Sequence, residues 1–229
     1  MQDLFKIGGY IMKKIILIIS LILSFTTLSF AQEKIKKTYY DTGELMCESI
    51  QKNGIEHGPF KCYYESGALR IEGTYKNGKQ EGIAKSYYEN GALELETPFK
   101  NGILEGIAKT YYENGTLELE APFKNDKLEG IAKSYYENGA LKGETPFKND
   151  KLEGIEKIYY ENGALHTELS IKNDKLEGIV KMYDENGVLW MAIKYQNDKA
   201  VRGVCGNGRE LTYTEIENWN NGLEVNCNY

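Results

Sequence analysis

The side chains of this sequence best suited to recognition chemistry are tyrosines that recur at fixed positions. A column of them begins at Tyr39 and continues, 24 residues apart, at Tyr63, Tyr87, Tyr111, Tyr135, Tyr159 and Tyr183. Tyrosine offers a large, rigid contact area with a polar tip, and it is enriched at protein interfaces for that reason. The spacing therefore predicts a candidate surface for binding another protein.

A second tyrosine column lies next to the first in the sequence, at Tyr40, Tyr64, Tyr88, Tyr112, Tyr136 and Tyr160. Neighbouring tyrosines point to opposite faces of a β-strand, so the two columns cannot share a surface. For the second column we expect a structural role, with the rings packed against one another across strands.

Catalytic and metal-binding chemistry has little support. The chain has two histidines, His57 and His166, each a single substitution in its repeat column. It shows no nucleophile elbow, phosphate-binding glycine loop or His-Glu-x-x-His motif. Acidic residues such as Glu113 and Glu118 are interleaved with lysines and lack the spacing of a calcium loop. We therefore expect no enzyme, no cofactor and no metal site.

Four cysteines, Cys47, Cys62, Cys205 and Cys227, are an even number without a Cys-x-x-Cys spacing. In an exported chain this favours disulfides over zinc. If residues 53–56 form the loop between the first two hairpins, positions whose numbers sum to 109 face each other, and Cys47 opposes Cys62. Cys205 and Cys227 would then form a second disulfide that cross-links the C-terminal segment.

A repeat of 24 residues positions these side chains. The stretch EGIAKSYYENGALELETPFKNG at Glu81 returns almost unchanged from Glu105 and again from Glu129. A fixed period of this size indicates an array of units that are stable only by stacking on their neighbours. The functional site is thus expected to be a surface rather than a pocket.

Each repeat is interpreted as a β-hairpin. An Asn-Gly dipeptide such as the one at Asn90 predicts a two-residue type I′ turn. That turn pairs Lys85 with Glu96 and Tyr87 with Glu94, and the Lys/Glu pairing recurs in six copies. The alternation assigns Ala84, Ser86, Tyr88, Leu93, Leu95 and Phe99 to an apolar face, and Ile83, Lys85, Tyr87, Glu94 and Glu96 to a charged face.

The predicted fold class is all-β: an elongated, single-layer antiparallel sheet of stacked hairpins with a small C-terminal cap. Residues 32–201 would hold seven repeats and residues 202–229 the cap. Within the cap, Thr214 is followed three residues later by Glu217, which predicts the start of a short helix.

The N-terminal segment is typical of a secretory signal peptide. Two lysines follow Met12, then an apolar run over residues 15–25, and then Ala31 at a cleavage position. The run is shorter than the roughly 20 apolar residues of a membrane-spanning helix. We expect residues 1–31 to be removed, with translation starting at Met12 and the mature chain at Gln32, in the periplasm, the medium or at the cell surface.

The net charge limits the class of partner. Removing residues 1–31 takes away three of the 28 basic residues and one of the 34 acidic residues, so the mature chain carries 25 minus 33, or −8. Such a surface repels nucleic acid and anionic lipid. The expected partner is a protein, with no nucleic acid and no strong binding to anionic membranes.

The pattern of Gly, Tyr-Tyr, Asn-Gly, Leu and Lys-Asn-Gly at this period resembles the bacterial variant of the MORN repeat found in the YwqK type of antitoxin, over residues 34–201. The resemblance implies an all-β array of hairpins used in protein or membrane association, and for some bacterial relatives neutralisation of a toxin. It brings no catalytic residues.

We therefore expect a non-enzymatic, exported protein that binds another protein through its sheet. One alternative is an antitoxin or immunity protein. It would need a patch whose residues differ from those of the other repeats, such as Lys142, Gly143, His166, Thr167, Trp190 and Met191. The other is a structural or adhesive element of the cell surface, which would use the uniform copies from Gly82 to Lys151.

Overall fold

The computed structural model describes residues 32–227, which form one open antiparallel sheet followed by a short helix. The strands are β1 (Glu33–Tyr39), β2 (Leu45–Lys52), β3 (Ile55–Tyr63), β4 (Leu69–Lys76), β5 (Lys79–Gln80), β6 (Gly82–Tyr87), β7 (Leu93–Lys100), β8 (Ile103–Leu104), β9 (Gly106–Tyr111), β10 (Leu117–Lys124), β11 (Lys127–Leu128), β12 (Gly130–Tyr135), β13 (Leu141–Lys148), β14 (Lys151–Leu152), β15 (Gly154–Tyr159), β16 (Leu165–Lys172), β17 (Lys175–Leu176), β18 (Gly178–Tyr183), β19 (Leu189–Gln196) and β20 (Lys199–Cys205), and the helix α1 spans Tyr213–Asn220. The predicted signal peptide lies outside the described residues. Within them, no helix has the length and apolar character needed to cross a membrane.

Each repeat contributes a hairpin that pairs edge to edge with the next. Strand β6 pairs with β7, and β7 pairs in turn with β9 of the following repeat. Lys85 lies opposite Glu96 as predicted. The same register recurs at Lys37–Glu48, Lys61–Glu72, Lys109–Glu120, Lys133–Glu144 and Lys157–Glu168. The prediction of an all-β sheet of stacked hairpins is confirmed.

The turn at Asn90 differs from the prediction. Gly91 has a φ of 86°, and its N–H donates to the carbonyl of Tyr88 at 2.9 Å. Tyr88 N–H in turn donates to the carbonyl of Ala92, which closes a three-residue loop. This is a type I turn followed by a G1 bulge, so the type I′ prediction was wrong. The Asn90 side chain accepts a hydrogen bond from Ala92 N at 2.8 Å, as asparagine often does in turns.

Type I′ turns occur instead at the other end of each hairpin. At the first connection, Asn53 and Gly54 form the turn, with φ values of 54° and 79°. The predicted four-residue loop over residues 53–56 was therefore wrong. A shift of register further along the strands returns Cys47 to a position opposite Cys62, so the pairing holds although the loop is shorter.

A β-bulge changes which side chains share a face. Tyr87 pairs with Leu93 and Ser86 with Leu95, which leaves Glu94 as the extra residue. The Glu94 carboxylate accepts a hydrogen bond from Ser86 Oγ at 3.1 Å. Glu94 thus lies on the side of Ser86 and Leu93 on the side of Tyr87, the reverse of the prediction, because a bulge opposes two residues to one.

The two faces of the sheet are named here by their repeated residues. The lysine face carries the columns of Ile83, Lys85, Tyr87 and Glu96. The serine face carries the columns of Ala84, Ser86, Tyr88 and Leu95. Along most of the array the residues of both faces are partly exposed, as a single layer requires.

A compact core lies at the C-terminal end, where α1 packs against β20. Met191 and Ile193 are fully buried, and Cys205, Ile216 and Val225 surround them. Met191 and Ile193 belong to the serine face, so the segment after β20 covers the end of that face. The exposed sheet gains its largest hydrophobic cluster there.

Helix α1 begins two residues earlier than the Thr214 and Glu217 pattern predicted. Its N-cap is Thr212, whose side chain accepts from Glu215 N while the Glu215 carboxylate accepts from Thr212 N. This capping box satisfies two backbone donors that the helix leaves free. A salt bridge from Arg209 to Glu215 at 3.1 Å fixes the same end of the helix.

Candidate binding surface

On the lysine face, six of the seven tyrosines of the predicted contact column, all except Tyr39 of the first repeat, donate a hydrogen bond to a glutamate of the preceding repeat. Tyr87 Oη lies 2.8 Å from Glu72 Oε1, and Tyr111 Oη lies 3.0 Å from Glu96 Oε2. The equivalent bonds are Tyr63–Glu48 at 3.1 Å, Tyr135–Glu120 at 3.1 Å, Tyr159–Glu144 at 3.1 Å and Tyr183–Glu168 at 3.4 Å. The six rings are half-buried and tie each hairpin to its neighbour.

The same glutamates form ion pairs with lysines on the lysine face. Lys85 Nζ lies 3.2 Å from Glu96, whose side chain is 21% exposed. Further pairs are Lys37–Glu48 at 3.4 Å, Lys61–Glu72 at 3.9 Å, Lys109–Glu120 at 3.3 Å, Lys133–Glu144 at 3.6 Å and Lys181–Glu168 at 3.0 Å. Exposed ion pairs contribute at most about 1 kcal/mol each, so they fix the register more than they stabilise the fold.

These surroundings raise the pKa of the tyrosines. At Tyr87, burial is the largest cause, followed by the hydrogen bond to Glu72 and the charges of Glu72 and Glu96, and the pKa rises to about 12. The pKa values of Tyr111 and Tyr135 are raised for the same reasons. The phenols therefore remain protonated and keep donating to the carboxylates well above neutral pH.

We expect the array to lose stability as the pH rises from 10 to 12. A tyrosine pKa of 10.0 in the unfolded chain and about 12 at folded Tyr87 means that the protonated phenol contributes fully below pH 10, and that its contribution is lost as the pH rises through the folded value. Urea midpoints measured across this range, with tyrosinate absorbance recorded in parallel, check the expectation. Replacing Tyr87, Tyr111 and Tyr135 by phenylalanine should flatten the decline, and an unchanged slope would contradict it.

The lysine face also carries a row of exposed isoleucines. It consists of Ile35, Ile83, Ile107, Ile131, Ile155 and Ile179, each 51 to 60% exposed. We call this row the isoleucine stripe. A single exposed isoleucine is ordinary, but a row of them on one face forms an extended apolar patch. The sequence placed Ile83 on this face, yet the alternation of residues alone does not show how much of each side chain remains exposed.

On the serine face, the second tyrosine column binds backbone. Tyr88 Oη donates to the carbonyl of Tyr111 at 2.8 Å, and Tyr64 Oη to that of Tyr87 at 2.7 Å. The same bond recurs from Tyr40, Tyr112, Tyr136 and Tyr160 to the tyrosine 23 residues later. Both tyrosine columns therefore hold neighbouring repeats together, one through carboxylates and the other through main-chain carbonyls.

Comparison with known families identifies the repeat. The family model of the MORN repeat variant matches residues 56–77, 80–101, 104–125, 128–149, 152–173 and 176–197. These six matches cover more than half of the 229 residues. The chain belongs to the MORN repeat variant family. Comparison with curated proteins finds no match.

The MORN repeats differ from one another on the serine face. The bulge position after Leu93 and its equivalents is occupied in turn by Arg70, Glu94, Glu118, Lys142, His166 and Trp190. Arg70 lies over the Tyr64 ring and Lys142 over the Tyr136 ring, each 5.5 Å from the centroid, and the His166 ring meets the edge of the Tyr160 ring at 4.5 Å. The second tyrosine column thus supports a row of unlike side chains.

The structure divides the patch that the sequence predicted for an immunity protein. Lys142 is exposed and Trp190 is 37% exposed, whereas Met191, Thr167 and Gly143 are buried. In these three repeats, the residue that follows the bulge position is buried. Only the bulge positions themselves, Lys142, His166 and Trp190, can therefore present side chains to a partner.

Residues that could bind metal or do redox chemistry have other roles in the MORN array. Over residues 32–227, no three His, Cys, Asp or Glu side chains are grouped as metal ligands. His57 makes a hydrogen bond with Asn77 at 3.2 Å. Disulfides join Cys47 to Cys62 and Cys205 to Cys227, so no cysteine of the described chain is free. MORN repeat proteins are generally non-catalytic.

Proposed function

We propose that the mature chain is an exported, non-enzymatic protein that binds another protein chain through its lysine face. The observation that carries the proposal is the isoleucine stripe, whose side chains are more than half exposed beside a row of tyrosines and charged groups. An apolar patch with a polar border is characteristic of protein-binding sites. The six tyrosines from Tyr63 to Tyr183 would border the contact.

Two features support export. The sequence of residues 1–31 is typical of a signal peptide. All four cysteines are paired in disulfides, which persist in oxidising compartments such as the periplasm or the medium. The proposed site of action is therefore the periplasm, the medium or the cell surface.

The charges on the lysine face support a protein partner. Lys85, Lys109 and Lys133 are each paired with a glutamate of the same chain, so no unbalanced basic row faces the solvent there. With a net charge of −8 on the mature chain, from 25 basic and 33 acidic residues, nucleic acid and anionic membranes are disfavoured.

Replacing Tyr87, Tyr111 and Tyr135 by serine should weaken partner binding and preserve the strand signal in circular dichroism. The serines lose the ring area, while the backbone ladder and the Lys/Glu register remain. Binding is measured in the exporting host with a photo-cross-linking residue in place of Ile107, and adducts are identified by mass spectrometry.

The matched control replaces the same three tyrosines by phenylalanine, which keeps the rings and removes only the hydrogen bonds to glutamate. This variant should still form the adduct. Full adduct formation by the serine variant, or loss of its sheet, would show that the rings are not a contact surface.

A second candidate function is that of an antitoxin or immunity protein. It is favoured by the unlike side chains at positions 142, 166 and 190, which lie in one column of the serine face near the C-terminal cap. A single toxin could recognise this irregular patch. A photo-cross-linking residue in place of Lys142 would then yield one adduct, and the same residue in place of Ile107 would yield none.

A further inference from the structure

We infer that the partner of the lysine face is a second copy of this chain, bound face to face; the inference rests on the proposed function and names its partner. The isoleucine, lysine, tyrosine and glutamate positions of this face are identical in four successive repeats, those of Ile83, Ile107, Ile131 and Ile155. Each repeat spans two strands, so the pattern recurs about every 10 Å. A second copy has the same period and can match every repeat at once.

The charges of the lysine face complement themselves. Glu96 lies between Lys85 of its own hairpin and Lys109 of the next, so lysine and glutamate alternate strand by strand. A twofold axis that runs midway between a lysine strand and a glutamate strand sets the lysines of the central repeats of one copy over glutamates of the other. Such an isologous contact uses one surface twice and closes after two chains.

The same axis brings the apolar residues together. Ile83 pairs with Pro98 and Ile107 with Pro122, so isoleucine and proline alternate in the same way as lysine and glutamate. The stripe is also flanked by hollows at both ends. One, of about 250 Å³, is lined by Ile35, Ile50 and Pro59 among others, and the other, of about 320 Å³, by Ile179, Ala192 and Val204 among others. Because the twofold axis reverses the order of the repeats in the second copy, the first hollow of one copy approaches the second hollow of the other.

The area suffices for a stable pair. Five repeats at about 10 Å each and a width of about 20 Å give roughly 1,000 Å² per copy. Stable, specific interfaces bury about 800 Å² on each partner. Aligned packing of two twisted sheets about 10 Å apart is a common arrangement.

Sedimentation equilibrium and light scattering test the inference on the protein purified from its exporting host. At micromolar concentration we expect a mass twice that of the mature chain. Replacing Ile107 and Ile131 by lysine should raise the dimer dissociation constant at least about 100-fold, because the twofold axis buries four new charges. Both positions are 54% exposed, so the monomer should keep its circular dichroism.

The matched control replaces Glu113 and Glu137 by glutamine. These residues belong to the same repeats, lie in exposed turns, and change the net charge by the same amount. The control should remain dimeric. Cross-linking of a mixture of ¹⁴N- and ¹⁵N-labelled chains should join lysines of the lysine face, such as Lys109 and Lys133, between copies.

A wild-type protein that is monomeric throughout, or a dimer that survives both lysine substitutions, would overturn the inference. So would mixed-isotope cross-links confined to other surfaces. The proposed function fails separately, if a photo-cross-linking residue in place of Ile107 forms no adduct with any protein. An adduct with a different protein from a monomeric chain would refute only the second copy as the partner.

Discussion

Replacing Ile193 by alanine is expected to lower the free energy of unfolding by about 3 kcal/mol, the range seen when a fully buried isoleucine is truncated. Ile193 is 0% exposed and contacts the cluster of Met191, Cys205 and Ile216. The cavity that alanine would leave lies between the sheet and the segment that covers it.

Leu169 provides the matched control. It occupies the same repeat column as Ile193 one repeat earlier, and it is only partly buried because no segment of residues 32–227 covers the serine face there. Its replacement by alanine should cost about 1 kcal/mol, in proportion to the smaller area removed from water. Urea unfolding curves of both variants measure the difference. Equal losses would mean that the cap adds nothing to the burial of the sheet.

The array could be predicted from sequence because its signals repeat. A register shifted by one residue would place Lys85 opposite Leu95 or Thr97 and would separate lysine from glutamate in every copy, so Lys85 with Glu96 and its five equivalents favour one register. The opposition of Cys47 and Cys62 was predicted from a four-residue loop that the structure lacks, and it is found because a register shift between Ser49 and Gln51 compensates for the shorter turn. Repetition turns a weak local preference into a strong constraint on strand pairing.

The turns were harder to predict because the hairpin of β6 and β7 carries an Asn-Gly dipeptide at both ends, at Asn90 and at Asn101. Asn101 has a φ of 54° in a type I′ turn, whereas the glycine after Asn90 alone takes a positive φ in that loop. The two dipeptides are chemically alike, so their residue types alone do not distinguish the two turns. Sequence reasoning assigned the type I′ turn to Asn90 and a four-residue loop to the other end, at residues 53–56, and therefore missed the bulge at Glu94.

The isoleucine stripe was missed for a different reason. Strand alternation predicts which face a side chain occupies, but exposure depends on what else packs on that face. For Ile107 nothing in the described chain does, and the side chain is 54% exposed. At Ile193 the C-terminal segment covers the sheet completely, and no repeat signal in the sequence marks that contact.

Removing the Cys205–Cys227 disulfide should have an effect as large as the loss of Ile193. The bridge closes a segment of 22 residues that includes α1, and it joins β20 to the residues after the helix. In the chain-entropy model such a loop stabilises the folded state by about 3 kcal/mol. Replacing both cysteines by serine should therefore release the cap and expose Met191 and Ile193.

Limited proteolysis locates this release, because cleavage should move to residues 206–227 in the variant while the hairpins stay resistant. The control removes Cys47 and Cys62, which close a loop of 15 residues between β2 and β3. Its entropic cost is also about 3 kcal/mol, yet no buried core depends on it, so the cap should remain resistant. Cleavage of the cap in both variants would show that the array unfolds as one unit.

Peptide mapping without reduction, on protein from the native host, tests whether both disulfides form. Linked peptides containing Cys47 with Cys62 and Cys205 with Cys227 are expected if the chain folds in an oxidising compartment. Free thiols at all four positions would contradict export, because an exported chain with these cysteines opposed across β2 and β3, and across the cap, would be oxidised. The cap would then depend on the packing of Ile193 and Met191 alone, and the alanine variant of Ile193 should unfold it.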